Sequence, residues 1–90
     1  MKNKINEYLN QNALVVDVRS PDEFRTGHCA GSINIPLNVL EARMPELDKK
    51  RKLIVCCASG GRSAMALSIL MNNGFIDIIN AGAWSNLRQD

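Results

Sequence analysis

Lys52-Leu53-Ile54-Val55-Cys56-Cys57, followed by Ala58-Ser59-Gly60-Gly61-Arg62-Ser63 and then by Ala64-Met65-Ala66-Leu67-Ser68-Ile69-Leu70-Met71, is the stretch whose reading decides the fold. The first part is apolar at consecutive positions rather than at alternate ones. That pattern predicts a strand covered on both faces, as in a parallel sheet. The middle part is a turn of small residues. The last part is apolar nearly all round, which predicts a largely buried helix. Gly74 supplies its C-cap and Phe75 the apolar contact that follows.

The same alternation of strand and helix continues outward. Residues 13–18, Ala13-Leu14-Val15-Val16-Asp17-Val18, form another run that is apolar on both faces. Ser20-Pro21-Asp22-Glu23 comes directly after it, with Ser at the N-cap, Pro at the first helical position and Glu at the third. This is a capping box, and the helix it starts should stop at Gly27. Ser32-Ile33-Asn34-Ile35 predicts a short strand closed by Pro36. Leu37, Leu40 and Met44 then fall three and four apart and predict a helix to about Pro45. Ile76-Asp77-Ile78-Ile79-Asn80 predicts the last strand, with Gly82 and Trp84 leading into a short tail helix. At the other end, Ile5, Tyr8 and Leu9 give residues 3–10 helical spacing before Asn10-Gln11-Asn12 breaks it. The sum is an α/β sandwich: a central parallel sheet of four to five short strands, flanked by helices and joined by right-handed crossovers, in one domain over residues 1–90. Ligands in such sheets sit beyond the C-terminal ends of the strands, where Cys57 stands.

Composition narrows the classes of function. The net charge of +2 is too weak to argue for nucleic acid, and 46% hydrophobic with 22% charged residues is the balance of a folded chain. The basic run Lys49-Lys50-Arg51-Lys52 reads as a solvated loop leading into a strand, or as a docking patch for an acidic partner. No apolar stretch is long enough to span a membrane, and the polar start Met1-Lys2-Asn3-Lys4-Ile5-Asn6-Glu7 has no apolar core of a signal peptide. The expected compartment is therefore the cytoplasm. Cysteines stand at 29, 56 and 57, an odd number with one adjacent pair, unlike a disulfide framework. No Cys-x-x-Cys occurs and the only histidine is His28, so neither a metal nor a cofactor is implied. Core packing and nucleophilic chemistry remain as uses for these thiols.

The loop after the third strand suits the second use. Glycine lets a backbone curl until several N–H groups point inward as an anion nest. The helix that follows adds roughly half a positive charge at its N-terminus. A cysteine titrates near ~8.5 when free, and such a setting lowers that value and favours the thiolate. Arg62 adds a full charge that does not titrate near neutrality.

The run 53–64 resembles the active-site strand, loop and helix of rhodanese domains. Asp17-Val18-Arg19-Ser20-Pro21-Asp22-Glu23-Phe24 is similar to that family's Asp-Val-Arg strand and capped helix. Gly27-His28-Cys29-Ala30-Gly31-Ser32-Ile33-Asn34-Ile35-Pro36 is similar to its Gly-His-Ile-x-Gly-Ala-x-Asn-Ile-Pro segment, and Asn80-Ala81-Gly82-Ala83-Trp84 to its Gly-Gly-x-x-Trp region. The resemblance spans about residues 13–88, with four motifs in register. It implies a sulfurtransferase in which the Cys57 thiolate takes sulfane sulfur from a small donor such as thiosulfate. The persulfide is held in the cradle of Ala58, Ser59, Gly60, Gly61, Arg62 and Ser63, then passed to a thiol or protein acceptor. Relatives that act on phosphate or arsenate use Cys-x5-Arg, whereas four residues separate Cys57 from Arg62 here. Family members usually begin with a further strand segment, which the short helix over residues 1–12 replaces. That leaves an edge compatible with a monomer or a homodimer.

Each remaining candidate carries two readings. Cys56 should point away from Cys57, because strand side chains alternate, and so belong to the core. Cys29 is a packing residue or a relay thiol. His28 resembles a structural residue of the family that supports neighbouring loops, and general base is its other use. Asp17 and Arg19 are site residues or a bracing ion pair. Arg62 binds the anion or tethers the loop. Ala58 and Ser59 stand where thiosulfate-preferring relatives carry basic residues, which weakens thiosulfate as the natural donor. Three functions follow: a persulfide-forming sulfurtransferase, a sulfur-relay module serving a partner protein, and an oxyanion phosphatase or reductase that the loop length disfavours.

Overall fold

The computed structural model of the chain describes residues 2–87; the last residue of the family resemblance and the two ends of the expected 1–90 domain lie outside them. Four strands form one sheet, all neighbours parallel, in the order β2-β1-β3-β4. They are β1 (Leu14–Asp17), β2 (Ile33–Asn34), β3 (Leu53–Cys57) and β4 (Ile78–Ala83). The α-helices are α1 (Lys2–Asn10), α2 (Pro21–Thr26), α3 (Leu40–Arg43) and α4 (Gly61–Asn72). This is the α/β architecture with helix-flanked parallel strands that the sequence predicts. Among the described residues no strand precedes β1.

Alternation along the strands divides the core into two layers. Val16, Leu53, Val55, Cys57 and Ile78 face α4 and the segment 37–47. Val15, Ile54, Cys56 and Ala81 face α1 and the 3-10 turn Trp84–Leu87. Strand β3 is buried at every position because it lies in the middle with a layer on each side. The second layer is fastened at its edge by Asp77, which accepts from Tyr8 Oη at 2.6 Å and from Lys52 Nζ at 2.7 Å.

Helix α2 starts as its sequence requires. The Ser20 hydroxyl accepts from the Glu23 N–H, and the Glu23 carboxylate accepts from the Ser20 N–H. The helix stops at Thr26, with Gly27 as its C-cap.

Four expectations need correction. The helix from Leu37 to about Pro45 is broken into a 3-10 turn (Leu37–Val39), the single turn α3 and a second 3-10 turn (Met44–Glu46). Pro45 lacks the N–H that a continuing α-helix would use. The last strand starts at Ile78 rather than Ile76 and runs on to Ala83, so Gly82 is inside it. The chain leaves α4 through Asn73 and Gly74, and the N–H of Phe75 bonds back to Leu70 O while that of Gly74 bonds to Met71 O. This Schellman closure buries Phe75 and swings Ile76 into solvent. A bulge between Asn80 and Gly82 then keeps β4 in the sheet, with the Asn80 side chain accepting from the Gly82 N–H.

Helix α4 is also less enclosed than its composition predicts. Ser63, Ala66 and Leu70 are buried, while Met65 and Met71 are 59% and 55% exposed. No described element covers its outer side. Finally, α4 begins at Gly61, so Arg62 and Ser63 belong to its first turn rather than to the loop before it.

Candidate functional site

Cys57 closes β3, and its side chain lies under the loop that leads into α4. Gly60 is the N-cap residue at φ 106°, a conformation glycine adopts without strain. Gly61 has no positive φ, so one glycine rather than two makes the sharp bend. The bend turns the Gly60 N–H onto Cys57 Sγ at 2.9 Å. Ser63 Oγ sits 3.3 Å from the same sulfur and 3.1 Å from the Gly60 carbonyl.

These contacts set the state of the thiol. Burial, with the residue 1% exposed, opposes ionisation of Cys57. Hydrogen bonds from the Ser63 hydroxyl and from the backbone N–H groups of Ser63, Gly60 and Ser59 outweigh it and bring the thiol below its ordinary value. The Ser63 N–H is free for the task because the first turn of a helix leaves it without an intrahelical partner, and Ser59 and Gly60 lie in the bend before that turn. The single Ser63 hydroxyl proton has two acceptors. With a neutral thiol, Cys57 donates to Ser63 Oγ, which donates to the Gly60 carbonyl. With a thiolate, the hydroxyl turns to the sulfur.

Of the other candidates, Ala58 and Ser59 lie in the bend and add no side-chain charge. Arg62 does not hang free over the loop. Its two terminal nitrogens donate to the two carboxylate oxygens of Glu23 at 2.6 and 2.9 Å. Glu23 is pulled down to about 2, first by Arg62 and then by its capping bond to Ser20. Sequence reasoning assigned Glu23 to the helix cap alone. The pair joins residues 39 apart, and no local pattern marks it.

Asp17 and Arg19 form a buried, multiply bonded pair on the opposite side of the sheet from Cys57. Arg19 also donates to the Gly27 carbonyl at 2.7 Å and lies over the Trp84 ring at 4.8 Å. These contacts are a brace that ties β1 to the 27–30 segment and the C-terminal turn. His28 stacks on Phe24 at 3.7 Å, with its Nδ1 2.8 Å from the Phe24 carbonyl. None of the three side chains bonds to Cys57 among the described residues.

Cys56 is wholly buried in the α1 layer, where burial first, and the Asp17 carboxylate next, push its thiol far up. Cys29 is half-buried at the edge of that layer, and burial raises it too. With His28, Trp84 and Leu87 it lines an open cavity of about 510 Å³ away from Cys57. The basic run is partly engaged: Lys52 pairs with Asp77 and Arg51 donates to the Asn12 carbonyl. Among the described residues no three His, Cys, Asp or Glu side chains cluster to hold a metal, and no helix is long and apolar enough to cross a membrane.

Comparison with known proteins gives the family. The family model described as the rhodanese-like domain matches residues 1–89. A curated "Sulfurtransferase" of Allochromatium vinosum is 33% identical over 70 residues, covering 78% of this chain and 65% of that protein. "Thiosulfate sulfurtransferase PspE" of Escherichia coli is 34% identical over 74 residues, covering 80% and 71%. The crystal structure of a rhodanese-related protein from Thermoplasma volcanium superposes with a TM-score of 0.77 at 35% identity, covering 88% of this chain and 77% of that one. The chain spans less than two thirds of the length of several curated relatives it matches, down to 36% for one from Bacillus subtilis.

Proposed function

The chain belongs to the rhodanese-like family, and from that premise we propose that it is a sulfurtransferase in which Cys57 carries sulfur as a persulfide. The observation that supports this reading is a buried sulfur held toward its thiolate by the Ser63 hydroxyl and the loop N–H groups. A thiolate is the nucleophilic form of cysteine. It attacks the outer sulfur of thiosulfate, the donor's S–S bond breaks, and sulfite leaves with the electron pair. The new Cys57–S–S⁻ keeps its charge against the same donors. An acceptor thiolate, free or on a protein, then attacks the outer sulfur and leaves as a persulfide, returning Cys57 to thiolate. In this scheme the pre-aimed N–H groups lower the cost of moving the negative charge by one atom, because no dipole has to reorient.

The test is intact-protein mass spectrometry after incubation with thiosulfate or with cysteine persulfide. A gain of one sulfur atom that disappears in Cys57→Ser supports the reading. No gain from either donor removes it. Turnover to thiocyanate with cyanide separates an enzyme on small donors from a module that relays sulfur between proteins.

A further inference from the structure

We propose that Glu23 sets the class of sulfur donor: by occupying the Arg62 guanidinium it leaves the Cys57 loop without a free full positive charge, so the site favours donors of low charge, such as a persulfidated thiol, over the thiosulfate dianion. The inference rests on the sulfurtransferase reading and adds the donor chemistry to it.

Residues 58–61 carry no charged side chain, and Arg62 is the one charged residue between Cys57 and Ser63. Its guanidinium lies within electrostatic reach of the Cys57 sulfur. Both of its terminal nitrogens are spent on Glu23 in a two-pronged contact, the geometry in which a carboxylate fills the guanidinium fork. Arg19 is likewise spent on Asp17, and it lies over the Trp84 ring on the other side of the sheet. Glu23, Arg62 and the thiolate together present one net negative charge to an incoming donor. Thiosulfate brings two more. Cysteine persulfide brings a single net negative charge, and in its protonated form the persulfide group brings none. For that donor, the Cys57 thiolate takes the outer sulfur, the S–S bond breaks, and the cysteine thiolate leaves. Backbone N–H groups suffice for such a transfer.

Glu23 is fixed by its second duty. The same carboxylate accepts from the Ser20 N–H at 3.0 Å, so the cap of α2 holds it in place for Arg62. Glutamine at this position keeps a capping box and removes the charge, which makes Glu23→Gln a clean probe.

The experiment measures the rate of persulfide formation on Cys57 with thiosulfate and with cysteine persulfide, by quench and mass spectrometry. The expected result in Glu23→Gln is a rise in the thiosulfate-to-persulfide rate ratio on the order of tenfold, shrinking as salt is added. Arg62→Gln, which leaves the Glu23 carboxylate uncompensated, should move the ratio the opposite way. Wild-type protein that takes sulfur while the ratio in Glu23→Gln stays within twofold overturns the inference and leaves the function standing. An equal loss with both donors does the same, since it marks a purely structural pair. If Glu23→Gln does not fold, an unchanged or raised ratio in Arg62→Gln overturns it. Wild-type protein that takes sulfur from neither donor overturns the function and this inference together.

Discussion

Cys56 and Cys57 are chain neighbours, both closed to solvent and Cys56 the more deeply set, yet their thiols move in opposite directions. Burial opposes ionisation of both. Cys56 points into the layer of α1, where a wholly buried carboxylate, Asp17, adds to the penalty. Cys57 points to the start of α4, where a hydroxyl and three backbone N–H groups converge on the sulfur. A strand's two faces are one residue apart, so a single position decides between an inert core thiol and a nucleophile. The difference teaches that closure to solvent does not by itself make a thiol inert: donors converging on a more thinly covered sulfur make the reactive cysteine. The largest effect expected from breaking the comparison is all-or-none. Cys57→Ser should abolish sulfur uptake by mass spectrometry, whereas Cys56→Ser should retain it. Uptake on Cys56 in the Cys57→Ser protein would contradict the division.

The two faces also use ion pairs differently. The Asp17–Arg19 pair is buried and supports the fold, while the Glu23–Arg62 pair is a third exposed beside the reactive loop. Asp17→Asn leaves the Arg19 charge enclosed without its partner. Loss of one member of such a pair costs about 3–5 kcal/mol, a large share of the stability of a chain this short. The check is a urea titration. A midpoint that barely moves would show that Gly27 and Trp84 hold Arg19 unaided. Whatever protein remains folded should still load sulfur on Cys57, because the pair lies across the sheet from it.

Much of this was legible in the sequence, and the limits have physical causes. Consecutive apolar residues disclosed β1 and β3 because both faces of a central strand are covered. The capping box of α2 and the closure at Gly74 and Phe75 could be read because each is made within a few residues. Cys57 and its loop could be read for the same reason. The Glu23–Arg62 pair was hidden because it joins two helices distant in sequence, and Glu23 already had a sufficient local role. The exposed side of α4 was hidden because an apolar composition does not say whether another element covers it. The shift of β4 follows from the swing of the chain after Phe75 and from a bulge that Gly82 and the Asn80 side chain support. Neither is a matter of periodicity.

A smaller effect tests the donors themselves. Ser63→Ala removes the hydroxyl but keeps the backbone N–H groups, so the Cys57 thiol should rise toward its ordinary value. The thiolate fraction falls as pH drops through the thiol's own pKa, so the rate of iodoacetamide alkylation should rise with pH to a midpoint below that value in the wild type. The midpoint should lie higher in Ser63→Ala. A displacement of one unit slows alkylation at neutral pH by up to about tenfold. Coincident profiles would assign the lowered thiol to the backbone alone.

The smallest effect belongs to Cys56, and its smallness is informative. Cys56→Val exchanges one compact apolar side chain for another among Val15, Ile54 and Ala81. Valine adds one heavy atom to the space of the thiol, and an extra group of this size in a packed core costs about 1–3 kcal/mol. The exchange removes no hydrogen bond that the structure gives Cys56. The Cys57 alkylation profile should then superpose on that of the wild type, since the donors that set it lie on the other face. A modest fall in the urea midpoint with an unmoved profile is the expected outcome. A shifted profile would mean that packing in the α1 layer reaches through β3 to the loop, and the two faces of the strand would no longer be independent.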